Sequence, residues 1–334
     1  MAMLRWMMVM LMAAAAGSAC AQVSMGPGQL GLVVNDDDPA SVAAGEYYRK
    51  VRGVPAENVV HVRIPGRPDR IDAPRFQQLK NQIDAALPQH VQAVLMVWTA
   101  PYAVECNSIT SAYTLGFDAA QCVKPCGSGR VNPYFNSMAT RPSAVGLRLS
   151  MLLPVETVDS AKALIDRGVA AGARPGKATA YFLTTSEVNR NSRAHLFPPA
   201  GRLRSKDLTI KRLSSDALEN ATDIMLYQTG SVRVAKLETN RFLPGALADH
   251  LTSLGGDLHG HGQMSALRWL DAGATASYGT VTEPCNYWQK FPHPMVLLRH
   301  YAMGATAIEA YWKSVAWPAQ GVFIGEPLAA PYRR

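Results

Sequence analysis

The chain has 334 residues and a formal net charge of +8, with 48% hydrophobic and 17% charged residues. That balance excludes a disordered, self-repelling chain and fits one large domain, or two tightly joined halves, around a sizeable core. The positive excess is concentrated between Arg190 and Arg212 without the interleaved aromatic residues of a nucleic-acid groove, so no nucleic-acid partner is expected.

Residues 1–21 have the pattern of a secretory signal: one early charge at Arg5, an apolar run from Trp6 to Ala16, then small residues. Ala19-Cys20-Ala21 fits cleavage before Gln22, and the run is too short for a permanent anchor. A lipoprotein alternative would make Cys20 the new N-terminus. It is disfavoured because Gly17 stands where a branched apolar residue is expected. The expectation is a secreted or periplasmic protein with a soluble mature chain from 22 to 334 and no transmembrane segment.

Leu30 to Val34 is a short continuous apolar run, as in a strand buried on both faces. Ala40 to Val51 has helical spacing and is stopped by Gly53 and Pro55. Val59 to Ile64 is a second strand, Arg75 to Leu87 a second helix, and Val91 to Trp98 a third, strongly apolar strand. Cys106 to Arg141 is long and irregular, and a long loop after a strand is more often functional than idle. The alternation resumes with a helix at Val158–Ala171 and a strand at Ala178–Leu183.

Within the stretch 188–222, the part between Arg190 and Arg212 holds Arg190, Arg193, Arg202, Arg204, Lys206, Lys211 and Arg212 against the single acid Asp207, and the stretch reads as a solvated surface insertion. The alternative is a contact for an acidic polymer or membrane surface. A strand at Asp223–Tyr227, a helix at Ser265–Ala272, a strand at Ala274–Val281 and helices at Met295–Met303 and Ala307–Ala316 complete the pattern. The order predicts a three-layer α/β fold, a mostly parallel sheet with helices on both faces, in one domain with halves at about 22–150 and 151–334.

In a parallel sheet the carboxyl ends of the strands share one edge, where α/β proteins place their sites. That edge would collect Asp36, Asp37 and Asp38; Glu105 and Asn107; Thr229; and Thr280, Glu283 and Asn286, with Trp288 and Tyr102 adding aromatic surface. Such carboxylates could bind a hard cation such as calcium or act as an acid and base pair, or could simply cap turns and helices. Apart from such a divalent cation no cofactor is expected. His259 and His261 could ligate a metal, but no third ligand accompanies them. Asp249-His250-x-x-Ser253 suggests a triad, although chain spacing is not geometry.

Behind the signal stand four cysteines, Cys106, Cys122, Cys126 and Cys285, an even number that reads as two disulfides in an exported chain. Three pairings are open. If the strands before Cys106 and Cys285 are neighbours, a 106–285 bridge would staple them and leave 122–126 as a small loop. A zinc site or a free nucleophilic thiol is the weaker alternative.

The landmarks Asp38-Pro39-x-Ser41-Val42, Tyr47-Tyr48-Arg49, Glu105-Cys106-Asn107-Ser108-Ile109-Thr110, Ala248-Asp249-His250-Leu251-Thr252-Ser253 and Ile324-Gly325-Glu326-Pro327 resemble those of a family of secreted bacterial proteins with no assigned activity. The order of parts is also similar to the caspase and gingipain type of cysteine peptidase. Tyr47-Tyr48-Arg49-x-x-Arg52-Gly53 resembles their first helix-to-strand turn, and Gly325-Glu326-Pro327 their late Gly-Asp-Pro. Those enzymes carry a His-Gly after one strand and a Cys-x-x-Gly after the next. The matching places here read Thr229-Gly230-Ser231 and Ser253-Leu254-Gly255-Gly256, so the resemblance implies a caspase/gingipain-like scaffold without the His–Cys dyad.

Two functions follow as expectations. One is a hydrolase using Ser253, Glu105 and Glu283 with His250 or His259 as base. The other is a non-catalytic binding protein whose rim of Asp36, Asp37, Asp38, Asn107, Thr229, Thr280, Asn286 and Trp288 receives a ligand or peptide.

Overall fold

A computed structural model describes residues 25–173 and 175–333 of the chain. The signal-like segment and Cys20 lie outside them. No helix among the described residues is long and apolar enough to cross a membrane.

The first half supplies strands β1 (Leu30–Asn35), β2 (Val59–Val62), β3 (Arg70–Ile71), β4 (Ala93–Val97), β5 (Ala103–Val104), β6 (Asn107–Ser108) and β7 (Leu149–Leu152). It also supplies helices α1 (Pro39–Arg52), α2 (Ala73–Ala86), α3 (Ile109–Leu115) and α4 (Ala119–Val123). The second half adds α5 (Val158–Ala170), β8 (Ala178–Thr184), β9 (Gly201–Leu203), β10 (Leu208–Ser214), β11 (Ile224–Gly230) and β12 (Phe242–Leu251). It ends with α6 (Leu267–Asp271), β13 (Ala276–Thr280), α7 (Pro294–Ala302), α8 (Ala307–Ser314) and β14 (Gly321–Gly325).

Local chemistry sets the helix ends. Asp38 accepts from the Ala40 amide, Pro39 opens α1 with its fixed φ, and Gly53 closes it at φ +68°. Arg49, Lys50 and Arg52 in the last turn oppose the helix dipole. Thr306 and Glu309 form a reciprocal capping box on α8.

Eleven strands form one sheet in the order β2-β1-β4-β7-β14-β13-β12-β11-β8-β10-β9. All pairings are parallel except β13 with β14 and the edge pair β9 with β10. Helices cover both faces. β1 turns Val34 toward Gly45 of α1 and Gly31 toward Leu87, just beyond α2, the alternation of a strand buried on both sides. The expected three-layer, mostly parallel α/β architecture is therefore present.

Three expectations need correction. Because β14 runs antiparallel to β13, the strands on either side of this seam point in opposite directions. Their carboxyl ends do not share one edge, and Asp36–Asp38 stand on the edge opposite Thr229 and Thr280. The stretch 188–222 is not simply a loop: β10 lies in full parallel register with β8, and β9 forms the sheet edge. Leu208 and Ile210 alternate into the core while Lys211 and Arg212 stay exposed, so the charges masked an edge strand.

The disulfides are Cys106–Cys122 and Cys126–Cys285, each with Cα atoms 5.3 Å apart, rather than 106–285 and 122–126. The Asn107 side chain explains the first. Its amide donates to the Asp118 carbonyl (3.0 Å) and its oxygen accepts from the Asp118 amide (2.9 Å). This closes the segment back on itself and brings α4, with Cys122, beside Cys106.

At the seam, fully buried Glu326 just beyond β14 accepts from Tyr48 Oη (2.7 Å) and pairs with Arg52 of α1 (2.7 Å). Gly168 of α5 makes room for it: a Cβ there would lie 2.3 Å from Glu326 Cγ. Gly168→Ala should therefore cost about 1–3 kcal/mol by overpacking against a charge that cannot be released to water. A lowered denaturation midpoint in urea with unchanged slope is expected, and an unchanged midpoint would show that the network has slack.

Candidate functional site

The site is built where β11, β12 and β13 end side by side. Beyond β12 the chain turns through Thr252-Ser253-Leu254-Gly255-Gly256. The Thr280 hydroxyl donates to the Ser253 carbonyl (2.9 Å), and Gln263 Oε1 accepts from both the Thr252 hydroxyl (2.7 Å) and the Leu254 amide (2.8 Å). The turn crosses β13 backbone on backbone. The Gly256 amide donates to the Thr280 carbonyl (2.9 Å), and a Cβ on Gly256 would lie 2.5 Å from the Gly279 carbonyl oxygen.

Beyond β11 the chain passes under Arg190, whose carbonyl oxygen would be 1.9 Å from any Cβ on Gly230. This crossing delivers the Arg190 side chain. Its Nε donates to Thr252 Oγ1 (3.2 Å), and it pairs with Glu187 (3.0 Å). Beyond β13, Glu283 accepts from the Cys285 amide (2.7 Å) in a tight turn with Cys285 at φ +56°. The Cys126–Cys285 bridge holds that turn.

Together these segments enclose a pocket of about 350 Å³ lined by Arg190, Thr252, Ser253, Glu283, Asn286 and Phe291, among others. Of the residues expected from sequence, Ser253, Glu283, Cys285 and Asn286 come together here. Arg190, Asn189, Thr252 and Phe291 were not anticipated. Arg190 reads as one charge in a basic stretch, and only the crossing at Gly230 brings it to the pocket.

His250 does not serve Ser253 as a base. It is buried on β12, and the Trp269 indole N–H donates to its Nδ1 (2.9 Å). Indole nitrogen can only donate, so the ring proton sits on Nε2 and is given to the Met264 carbonyl (3.1 Å). Both nitrogens are thus engaged away from Ser253. Burial pushes the ring's pKa down to about 3. Neighbouring Asp249 is also buried and pairs with Arg193 (2.5 Å) instead of a histidine, with Gln228 donating to its other oxygen (2.8 Å). Burial raises its pKa, and the Arg193 charge opposes this.

The remaining expected residues are engaged elsewhere. Asp36, Asp37 and Asp38 pair with His61 (2.6 Å), Arg63 (2.9 Å) and Arg67 (3.3 Å). Glu105 accepts from the Ala73 amide at the start of α2 (3.2 Å). Asn107 and Thr280 are buried and hold backbone, Thr229 is buried at the end of β11, and Trp288 packs edge-on against His293. His259 lies against Asp69 (2.6 Å) and Glu156 (3.5 Å). Among the described residues no three metal-ligating side chains gather at one point, so the acidic rim pictured from sequence does not form. All four cysteines among the described residues are in disulfides.

No protein-family profile and no curated protein matches the chain. Solved structures similar to it include the Arg-specific cysteine proteinase gingipain R (RgpB), 12% identical with a TM-score of 0.47, covering 91% of this chain and 78% of that one. Another is a complex of Porphyromonas gingivalis RgpB pro- and mature domains, 11% identical with a TM-score of 0.46, covering 91% and 79%. A third, described as a protease, is 10% identical with a TM-score of 0.48 and covers 92% and 79%.

The His250 geometry makes a pH prediction. The folded ring takes its proton only near pH 3, whereas the unfolded ring takes it near 6.5. Between those values the unfolded state holds more protons, so stability is complete above the window and falls with decreasing pH, by up to about 1.4 kcal/mol per unit. His293 and His300, also lowered by burial, act in the same direction, so His250→Gln is needed to isolate this part of the slope. Imidazole NMR should show His250 fixed as the Nε2–H form from about pH 8 to pH 5. A midpoint near 6.5 would refute the assignment.

Proposed function

We propose that the protein is an exported, non-catalytic binding protein whose pocket at Ser253 receives a short, free-ended peptide. The observation that carries this reading is His250. The histidine nearest Ser253 in the chain has both ring nitrogens committed to Trp269 and Met264, and a serine without a base is a poor nucleophile at neutral pH. With every cysteine beyond the leader bridged, no thiol replaces it.

The pocket lining suits recognition. Arg190 is held in place by Glu187 and Thr252 and can meet a carboxylate, and Glu283 can meet an ammonium group. The Thr252 and Ser253 hydroxyls and the Asn189 and Asn286 amides can hydrogen-bond peptide groups. Export is supported by the charged, apolar and small-residue succession of residues 1–21 and by the two disulfides, which persist in oxidising compartments.

Two measurements test this. A fluorophosphonate probe should give no labelling that disappears in Ser253→Ala; such labelling would make the protein a serine hydrolase instead. In thermal-shift titrations against a panel of free-ended tripeptides, at least one member should raise the melting temperature, and Arg190→Gln and Glu283→Gln should each remove that rise. A panel that leaves the wild-type protein unmoved would sink the peptide reading.

A further inference from the structure

A larger cavity of about 920 Å³ lies between α5 and the segment 258–271, and shares no lining residue with the pocket at Ser253. Leu164, Leu258, Met264, Leu267 and Leu270 give it an apolar wall. Its charged groups are unevenly matched. Arg268 faces Asp271 (3.2 Å), and Glu156 faces His259 (3.5 Å), which accounts for both acids in the lining.

Two arginines are left without a carboxylate among the described residues. Arg233 donates to the His261 carbonyl (2.9 Å). Arg167 projects from α5, and one of its terminal nitrogens donates to the Leu270 (2.9 Å) and Ala274 (3.2 Å) carbonyls. Its Nε is buried with no hydrogen-bond partner. A guanidinium carries five donors and no acceptor, and withdrawing it from water without an anion is costly. Burial also lowers its proton affinity, an effect that the nearby charge of Asp271 opposes only in part. The site is thus a trough of mixed polar and apolar lining, with a cation in its wall that makes no ion pair, and its volume falls in the range of small-molecule cavities.

We propose that this groove binds an amphipathic carboxylate, with the acid group at Arg167 and Arg233 and the hydrocarbon along Leu164, Leu267 and Leu270. The carboxylate supplies the missing counter-charge in bidentate geometry, and the leucines exclude water from the pair.

The test uses the full chain and 11-(dansylamino)undecanoate as the probe. Saturable, blue-shifted fluorescence at one probe per chain is expected, displaced by decanoate but not by decylammonium. Arg167→Leu should weaken binding by about tenfold or more, the loss of a charge-assisted hydrogen-bond pair. Arg167 also holds two carbonyls near α6, so a second variant is needed. Ala163→Trp, at an exposed position of α5 lining the groove, should fill the trough and abolish probe binding while leaving the circular dichroism melt unchanged. Absence of saturable binding, equal displacement by decylammonium, or undiminished binding in Ala163→Trp would each overturn the proposal. None of these outcomes depends on what occupies the pocket at Ser253.

Discussion

The buried pair of Arg193 and Asp249 is the constraint from which the site takes its form. Both side chains are almost wholly withdrawn from solvent. Arg193 reaches the carbonyls of Thr229 on β11, Asp249 on β12 and Pro292 ahead of α7. One guanidinium thus fastens two strands and the segment leading to a helix. It also fixes the chain on its own amino side, so that Arg190 crosses Gly230 and Phe291 closes the pocket. Removing either member would strand the other charge, a loss of about 3–5 kcal/mol. A carboxylate committed in this way is unavailable to orient a histidine, so the architecture that makes the pocket also removes a catalytic partner from it.

The chemistry of the rim follows from that commitment. Residues 249 and 250 point to opposite sides of β12, as strand geometry demands. Asp249 enters the arginine network, and His250 enters the apolar cluster around Trp269 and Tyr227. What reads along the chain as an acid, a base and a nucleophile is divided among three environments. The pocket is left with positioned hydroxyls, amides and the opposed charges of Arg190 and Glu283. Glu283 supplies the carboxylate of its lining, and His250 is turned away from Ser253.

Much of the scaffold was legible in the sequence because its cause is local. The apolar runs of β1, β4 and β8 and the capped periodicity of α1 and α5 depend on nearby residues, and they stand where the sequence puts them. β7, β12 and β14 were missed, although β14 is a short apolar run like that of β1, and β10 was missed because its exposed face is charged. The shared rim failed for a different reason: strand direction at the seam is set by the path through α7 and α8, which no local pattern encodes. The disulfide pairing failed likewise, since it depends on Asn107 folding its own loop back. Glu283 and Asn286 were found from their positions after a strand and Ser253 from its spacing to His250 and from the resemblance to a Cys-x-x-Gly motif, whereas Arg190 could not be, because long-range backbone crossing brings it there.

The position of β14 has a consequence for how the protein is made. It lies between β7 and β13 in the sheet, yet it follows every other strand in the chain. Without β14 the strands on the two sides of the seam form two separate sheets, each with a raw inner edge. Only when Gly321–Gly325 arrives can the edges be joined, and Glu326 then drops onto Tyr48 and Arg52 from the opening helix. The same order leaves any interrupted product with two exposed strand edges open to self-association.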